Sequence, residues 1–181
     1  IMADMGSAQQ TISRCLNTGS IFGFTAGGIV GYCSGGAVTL IESCYNTGSI
    51  SGGTAGGIVG TGIGELTNCY NTGDVTGNLA GGIAGNQVLW QYPNTHNYDV
   101  GKVSNCYTTG KVTGSTGATI GAAVGKLHTG GGGQNTYRDF QVYALEGTCA
   151  QLVGQKSENA KDVTAFKTAA ELKSDAMLTT L

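Results

Sequence analysis

Cysteine, histidine and carboxylate side chains are where chemistry would be sought first, and their spacing here argues against most of it. The chain of 181 residues has six cysteines, two histidines and eleven acids. No C-x-x-C pair or matched histidine spacing is present, so neither a metal site nor a cofactor is expected. His96 and His128 lie outside any H-E-x-x-H context. A polysaccharide-cleaving β-helix needs clustered carboxylates, or a carboxylate with a base, in one groove. Here Glu42 falls opposite Thr67 and Asp74 opposite Ser49 when like segments are aligned, never two acids together. There is no Gly-x-Ser-x-Gly, no phosphate loop and no calcium-type aspartate series. No catalytic residue is expected, and the chain reads as a non-enzyme.

Aromatic residues are the remaining candidates for recognition. Tyr45, Tyr70 and Tyr107 follow a cysteine in successive copies of one motif. Facing outward, their rings offer a stacking surface to sugars or to a partner protein; equally, they pack on each other and cover a corner. The segment 86–102, NQVLWQYPNTHNYDVGK, holds the only Trp and the only Pro. Long loops on rigid scaffolds are preferred sites of function, although such a loop also serves by folding down over the wall. Standing free, it forms one wall of a groove with Trp90, Tyr92 and Tyr98, and His96 beside them. Tyr32 is then the other wall, and Gly62, Gly64 and Glu65 the floor. Aromatic walls with one carboxylate suit a stacked sugar, so a glycan is the ligand expected there.

The elements that must position these residues are repeats. Residues 41–60, IESCYNTGSISGGTAGGIVG, recur as ISRCLNTGSIFGFTAGGIVG at 12–31 and LTNCYNTGDVTGNLAGGIAG at 66–85, with a worn copy at 103–125. Apolar singles (Ile21, Ile50, Val75, Val112) alternate with polar neighbours, which is strand periodicity. A unit of about 25 residues with short strands and glycine corners is the signature of a parallel β-solenoid. Right-handedness is expected, since parallel crossovers are nearly always so. Stacked coils lie about 4.8 Å apart, so aligned residues become columns.

Ile12, Ile41, Leu66 and Val103 form one inward column, and Ile21, Ile50, Val75 and Val112 another. Two residues after the first column stand Arg14, Ser43, Asn68 and Asn105; arginine is a poor core residue, so the chain must bend there. That bend turns Cys15, Cys44, Cys69 and Cys106 inward. Stacked Cβ atoms about 4.8 Å apart are too far for an unstrained disulfide, so a reduced thiol ladder is expected. Asn17, Asn46 and Asn71, each before Thr-Gly, read as a left-handed corner with side chains bonded up the stack. The Gly-Gly pairs at 27–28, 56–57 and 81–82 read as a second sharp turn.

The pattern I-x-x-C-Y-N-T-G-x-I-x-G followed by A-G-G-I-V-G resembles the GLUG repeat over about residues 12–125. GLUG repeats occur in large bacterial cell-surface and secreted proteins, among them adhesin-like proteins and the non-catalytic parts of IgA-cleaving metallopeptidases. The resemblance implies a β-solenoid, an extracellular bacterial setting and membership of a larger polypeptide. It implies no peptidase activity, since the zinc motif of those enzymes is missing.

Bulk composition narrows the partners. Charged residues make up 11% against about a quarter in ordinary domains, and glycine is 33 of 181. A net charge of −2 without a Lys/Arg cluster gives no footprint for nucleic acid or anionic lipid. No apolar run approaches the roughly 20 residues of a membrane span. The chain starts at Ile1 without a signal-peptide pattern, so a secretion signal or wall anchor is expected outside it.

The expected organisation is an N-terminal edge segment (1–11), solenoid repeats (12–145, with a partial fifth coil from Asn135) and a C-terminal cap region (146–181). Thr168-x-x-Glu171 is a capping box, so a helix from about Ala169 is expected to cover an exposed strand edge. The function expected is a non-catalytic adhesion or binding module for a glycan or host surface protein. A structural spacer is the alternative, and a polysaccharide-active enzyme a distant third.

Overall fold

The computed structural model describes residues 2–5, 10–33, 39–62, 64–91, 99–100, 102–130, 140–156 and 163–173. It is a parallel β-solenoid whose coils pass through three sheets in turn. The cysteine sheet contains Gln10–Ser13, Thr39–Glu42, Gly64–Thr67, Val103–Thr108, Phe140–Leu145 and Val163–Lys167, with the short strands Leu16–Asn17, Tyr45–Asn46 and Tyr70–Asn71 beyond the bend. The phenylalanine sheet stacks Ile21–Gly27, Ile50–Gly56, Val75–Gly81, Val112–Thr113 and Thr119–Gly121. The long-strand sheet stacks Met2–Met5, Val30–Cys33, Val59–Gly62, Ala84–Gln91, Val124–Gly130 and Val153–Lys156.

Alternation and register explain the core. Ile12, Ile41, Leu66, Val103 and Phe140 pair in one buried column. Ile21, Ile50, Val75 and Val112 pair in a second, with only Ile21, on the first coil, incompletely buried. Ile29, Ile58 and Ile83 fill the third corner at 0% exposure. Each aliphatic side chain withdrawn from water contributes about 1.5–3 kcal/mol, and no coil achieves this without its neighbours.

The bend after the first column is where sequence placed it. Arg14, Ser43, Asn68 and Asn105 all have φ between 52 and 54°. In the first three the backbone N–H stays bonded to the next coil, Arg14 to the Glu42 carbonyl at 3.1 Å, Ser43 to the Thr67 carbonyl at 3.0 Å and Asn68 to the Ser104 carbonyl at 3.1 Å. The αL backbone, which costs a non-glycine residue about 1–2 kcal/mol, thus turns the chain without breaking the ladder. It also drives the following cysteines inward. All six cysteines are free thiols.

The asparagine expectation needs correcting in one respect. Asn17, Asn46 and Asn71 occupy short strands and are not left-handed; positive φ falls on the residues three positions earlier. Their side chains do bond up the stack. Asn17 Nδ2 donates to Asn46 Oδ1 at 2.7 Å, Asn46 Nδ2 to Asn71 Oδ1 at 2.7 Å, and Asn71 Nδ2 to Thr108 Oγ1 at 3.3 Å. Each amide also closes its own turn, as when Asn46 Nδ2 donates to the Gly48 carbonyl at 2.7 Å. Amides bonded on both sides can be buried at little cost.

The Gly-Gly pairs serve space rather than left-handed angles. A Cβ on Gly28 would lie 2.7 Å from Asn46 Cγ, one on Gly57 2.6 Å from Asn71 Nδ2, and one on Gly82 2.5 Å from Thr108 Oγ1. The second glycine of each pair is therefore the seat of the next coil's asparagine or its replacement. This couples the two halves of the repeat. In the worn copy Thr108 and Ala122 replace Asn and Gly, and the aligned residue one coil on is the small Ala144. The extra residues of that copy leave the sheet between Val112–Thr113 and Thr119–Gly121, in a turn with Gly117 at φ 84°.

Beyond the fourth coil, Asn135-Thr136-Tyr137 lies outside the described residues, and the cysteine and tyrosine columns continue instead at Val142 and Tyr143. Coil pairing also passes residue 145: Val153–Lys156 pairs with Val124–Gly130, and Val163–Lys167 with Phe140–Leu145. The region 146–181 thus carries solenoid strands before its helix. That helix, Ala169–Leu172, has the full capping box but is a single turn that buries none of its residues. Part of the segment 86–102 is strand. Ala84–Gln91 runs in register with Val124–Gly130 as far as Trp90, and Asp99–Val100 folds back antiparallel on Trp90 and Gln91.

Candidate functional site

The groove expected from sequence is not assembled among the described residues. Tyr32 stands on Val30–Cys33, beside Thr61, and is 44% exposed. Glu65 lies on Gly64–Thr67, in a different sheet, beside Leu40. Gly62 faces the interior, where a Cβ would sit 2.9 Å from Val59 Cγ1, so it cannot floor an outer groove. The next residue up its column, Gln87, is wholly buried and donates from Nε2 to the Gly64 carbonyl at 3.2 Å. Trp90 belongs to the strand Ala84–Gln91, but its side chain, and Tyr92, His96 and Tyr98 entirely, lie outside the described residues.

The tyrosine column is assembled. Tyr45 and Tyr70 stack with centroids 4.8 Å apart, and Tyr70 and Tyr107 with centroids 5.1 Å apart. The rings are half-buried, Leu16 stands on one end of the stack, and Tyr143 continues its register. Burial, and after it the adjoining ring, raises the pKa of Tyr70 and of Tyr107. With their faces already covered by one another, the rings present mainly edges and hydroxyls.

Beyond the partly exposed Cys15, the cysteine column is sealed. Cys44, Cys69 and Cys106 are 0% exposed, and their thiols donate to the carbonyls of Glu42, Thr67 and Ser104 at 3.2, 3.3 and 3.3 Å. The bond with the Cys69 thiol, then burial, pushes the Cys44 thiol above its ordinary range; for Cys69 the bond with Cys106 is the largest cause. Such thiols are poor nucleophiles and poor metal ligands.

An exposed site lies instead on the outer face of the phenylalanine sheet. On Ile21–Gly27, Phe22 and Phe24 alternate outward and are 88% and 90% exposed. The next coils present Ser51 and Gly53, then Thr76 and Asn78, at these positions. Gly53 makes the room: a Cβ there would be 3.6 Å from Phe24 Cδ2 and Cε2, so the ring leans over bare backbone. Gly23, Gly52 and Gly77 stack beneath; a Cβ on Gly52 would overlap the Gly23 carbonyl and one on Gly77 would lie 2.8 Å from the Gly52 carbonyl, so neither has room for a side chain. The result is an open trough of about 580 Å³ lined by Phe22, Phe24 and Gly23, by Ser51, Gly52 and Gly53 of the next coil, and by Thr76, Gly77 and Asn78 with Ser115 beyond.

Its polar wall is partly pre-bonded. Ser115 Oγ donates to Asn78 Oδ1 at 3.1 Å, and the Thr76 and Thr113 hydroxyls are 2.9 Å apart. Ser51 Oγ and Asn78 Nδ2 have no partner among the described residues. No lining residue is ionisable, so the trough is equipped for stacking and neutral hydrogen bonds rather than proton transfer.

Comparison with protein-family models, with curated proteins and with solved structures found no match.

Sequence reasoning passed over Phe22 and Phe24. The signal was available, because they depart from the chain's own repeat at outward positions where the later copies carry Ser, Thr, Gly or Asn.

Proposed function

We propose that this chain is a non-catalytic adhesion or binding module, carried extracellularly by a larger bacterial surface or secreted protein and meeting a glycan or host surface protein there. The observation that carries this reading is the pair Phe22 and Phe24, two large apolar rings held almost fully in water on a sheet face whose backbone is rigidly stacked. Adjacent exposed aromatic rings are a usual mark of an interaction site. The resemblance of residues 12–125 to the GLUG repeat supports the bacterial surface setting. No helix among the described residues is long and apolar enough to cross a membrane. The test is saturable binding of the labelled protein to host cells, extracellular-matrix proteins and immobilised glycans. Binding that saturates and is competed by unlabelled protein is expected. Absence of binding on every surface would overturn the proposal in favour of a spacer, to which the unbroken side-chain ladders are equally suited.

A further inference from the structure

We infer that the trough beside Phe22 and Phe24 is a binding subsite for an uncharged glycan, with one sugar ring stacked on Phe24. The inference rests on the binding-module reading and deepens it.

The ligand class follows from the lining. A pyranose has an apolar face of C–H groups and a rim of hydroxyls, and it needs an aromatic ring for one and donors and acceptors for the other. Phe24 offers its ring over Gly53, where no side chain competes for the space. One coil on, the Ser51 hydroxyl is an unengaged donor and acceptor. Two coils on, Asn78 has its Oδ1 fixed by Ser115, which turns the amide so that Nδ2 remains to donate to a sugar oxygen. Two coil steps are about 10 Å, so these groups flank a short oligosaccharide lying along the solenoid axis.

Charge decides between sugar classes. The lining is two phenylalanines, glycines, serines, Thr76 and Asn78, with no cation to pair a sialic or uronic acid and no carboxylate to attract an amino sugar. Burying an unpaired ion in such a site is unfavourable, so neutral hexoses and N-acetylhexosamines are favoured over acidic glycans. A floor of stacked glycine backbone also keeps the trough shallow and preformed, so little ordering is required on binding.

The experiment is a glycan array read with wild type, Phe24→Ala, the double variant Phe22→Ala/Phe24→Ala, and Asn78→Ala, followed by calorimetry on the strongest glycan. Both rings are exposed, so the phenylalanine variants should keep the wild-type circular dichroism and melting profile. Binding to neutral glycans that weakens by about tenfold in Phe24→Ala, the worth of one good aromatic stack, and by several-fold in Asn78→Ala, supports the inference. Neutral-glycan binding unchanged in the phenylalanine variants would overturn this subsite while leaving the binding-module reading intact. Binding only to acidic glycans, or only to host proteins, would overturn the ligand class. Self-association of the wild type that disappears in the double variant, without glycan binding, would show the rings to be a contact between copies and overturn it as well. No binding to any surface would remove both readings.

Discussion

Asn46 is the residue on which most of the repeat converges. Its side chain accepts from Asn17 and from the Gly48 N–H, and donates to Asn71 and to the Gly48 carbonyl. Asn46→Ala leaves those partners buried without replacement, and a loss of about 3 kcal/mol is expected. Gly57→Ala should be at least as damaging, because the new methyl overlaps the Asn71 amide and the Gly82 carbonyl. Urea midpoints of the two variants and wild type check both. The thiols give a second prediction at this scale. At neutral pH iodoacetamide should reach Cys15 and Cys149, which are partly exposed, and spare Cys33, Cys44, Cys69 and Cys106 until the protein is unfolded. Peptide mapping by mass spectrometry reads the outcome. Rapid labelling of Cys69 in the native protein would contradict the sealed ladder.

At the scale of elements, columns of like groups carry a pH dependence. Tyr70, Tyr107, Cys44 and Cys69 all have raised folded-state pKa values. Unfolded values lie near 8.5 for cysteine and 10 for tyrosine. The folded state therefore holds its protons more tightly, and the stabilisation is complete below about pH 8.5 and lost as pH rises beyond it. Denaturation midpoints should be flat on this account from neutral pH to about 8.5 and fall steadily above; a rise in that range would contradict it. The terminal helix is expected to behave differently. Thr168→Ala removes a capping box that ordinarily contributes about 1 kcal/mol, but the helix buries nothing, so its local helicity should drop while the global midpoint stays.

These elements also show what the sequence could reveal. The place of the bend, though not its left-handed backbone, was legible because Arg14 is a poor core residue, and the cysteine column followed from it. The conformation of the asparagines was misjudged because propensity assigns Asn-Thr-Gly to a turn, whereas the amide ladder and the glycine seat opposite hold the chain extended. The described part of the expected groove does not come together, because a count of residues between repeats does not show that Tyr32 and Glu65 fall on different sheets. The start of the insertion is strand, with Ala84–Gln91 paired to Val124–Gly130 as far as Trp90. The fifth coil was set at Asn135-Thr136-Tyr137 because Phe140, Val142 and Tyr143 keep the period with valine in place of the cysteine.

For the whole molecule, coils stacked in register and joined by side-chain columns give an exposed feature a defined place on one sheet face. On the reading proposed above, that feature is the trough on the phenylalanine sheet. The most direct test is an amide-shift map of nitrogen-15-labelled protein titrated with the strongest neutral oligosaccharide from the array. The largest shifts are expected on Phe22, Gly23, Phe24, Ser51, Gly53 and Asn78, with the cysteine sheet undisturbed. Shifts centred on residues 86–102, or no shifts at saturating sugar, would contradict it.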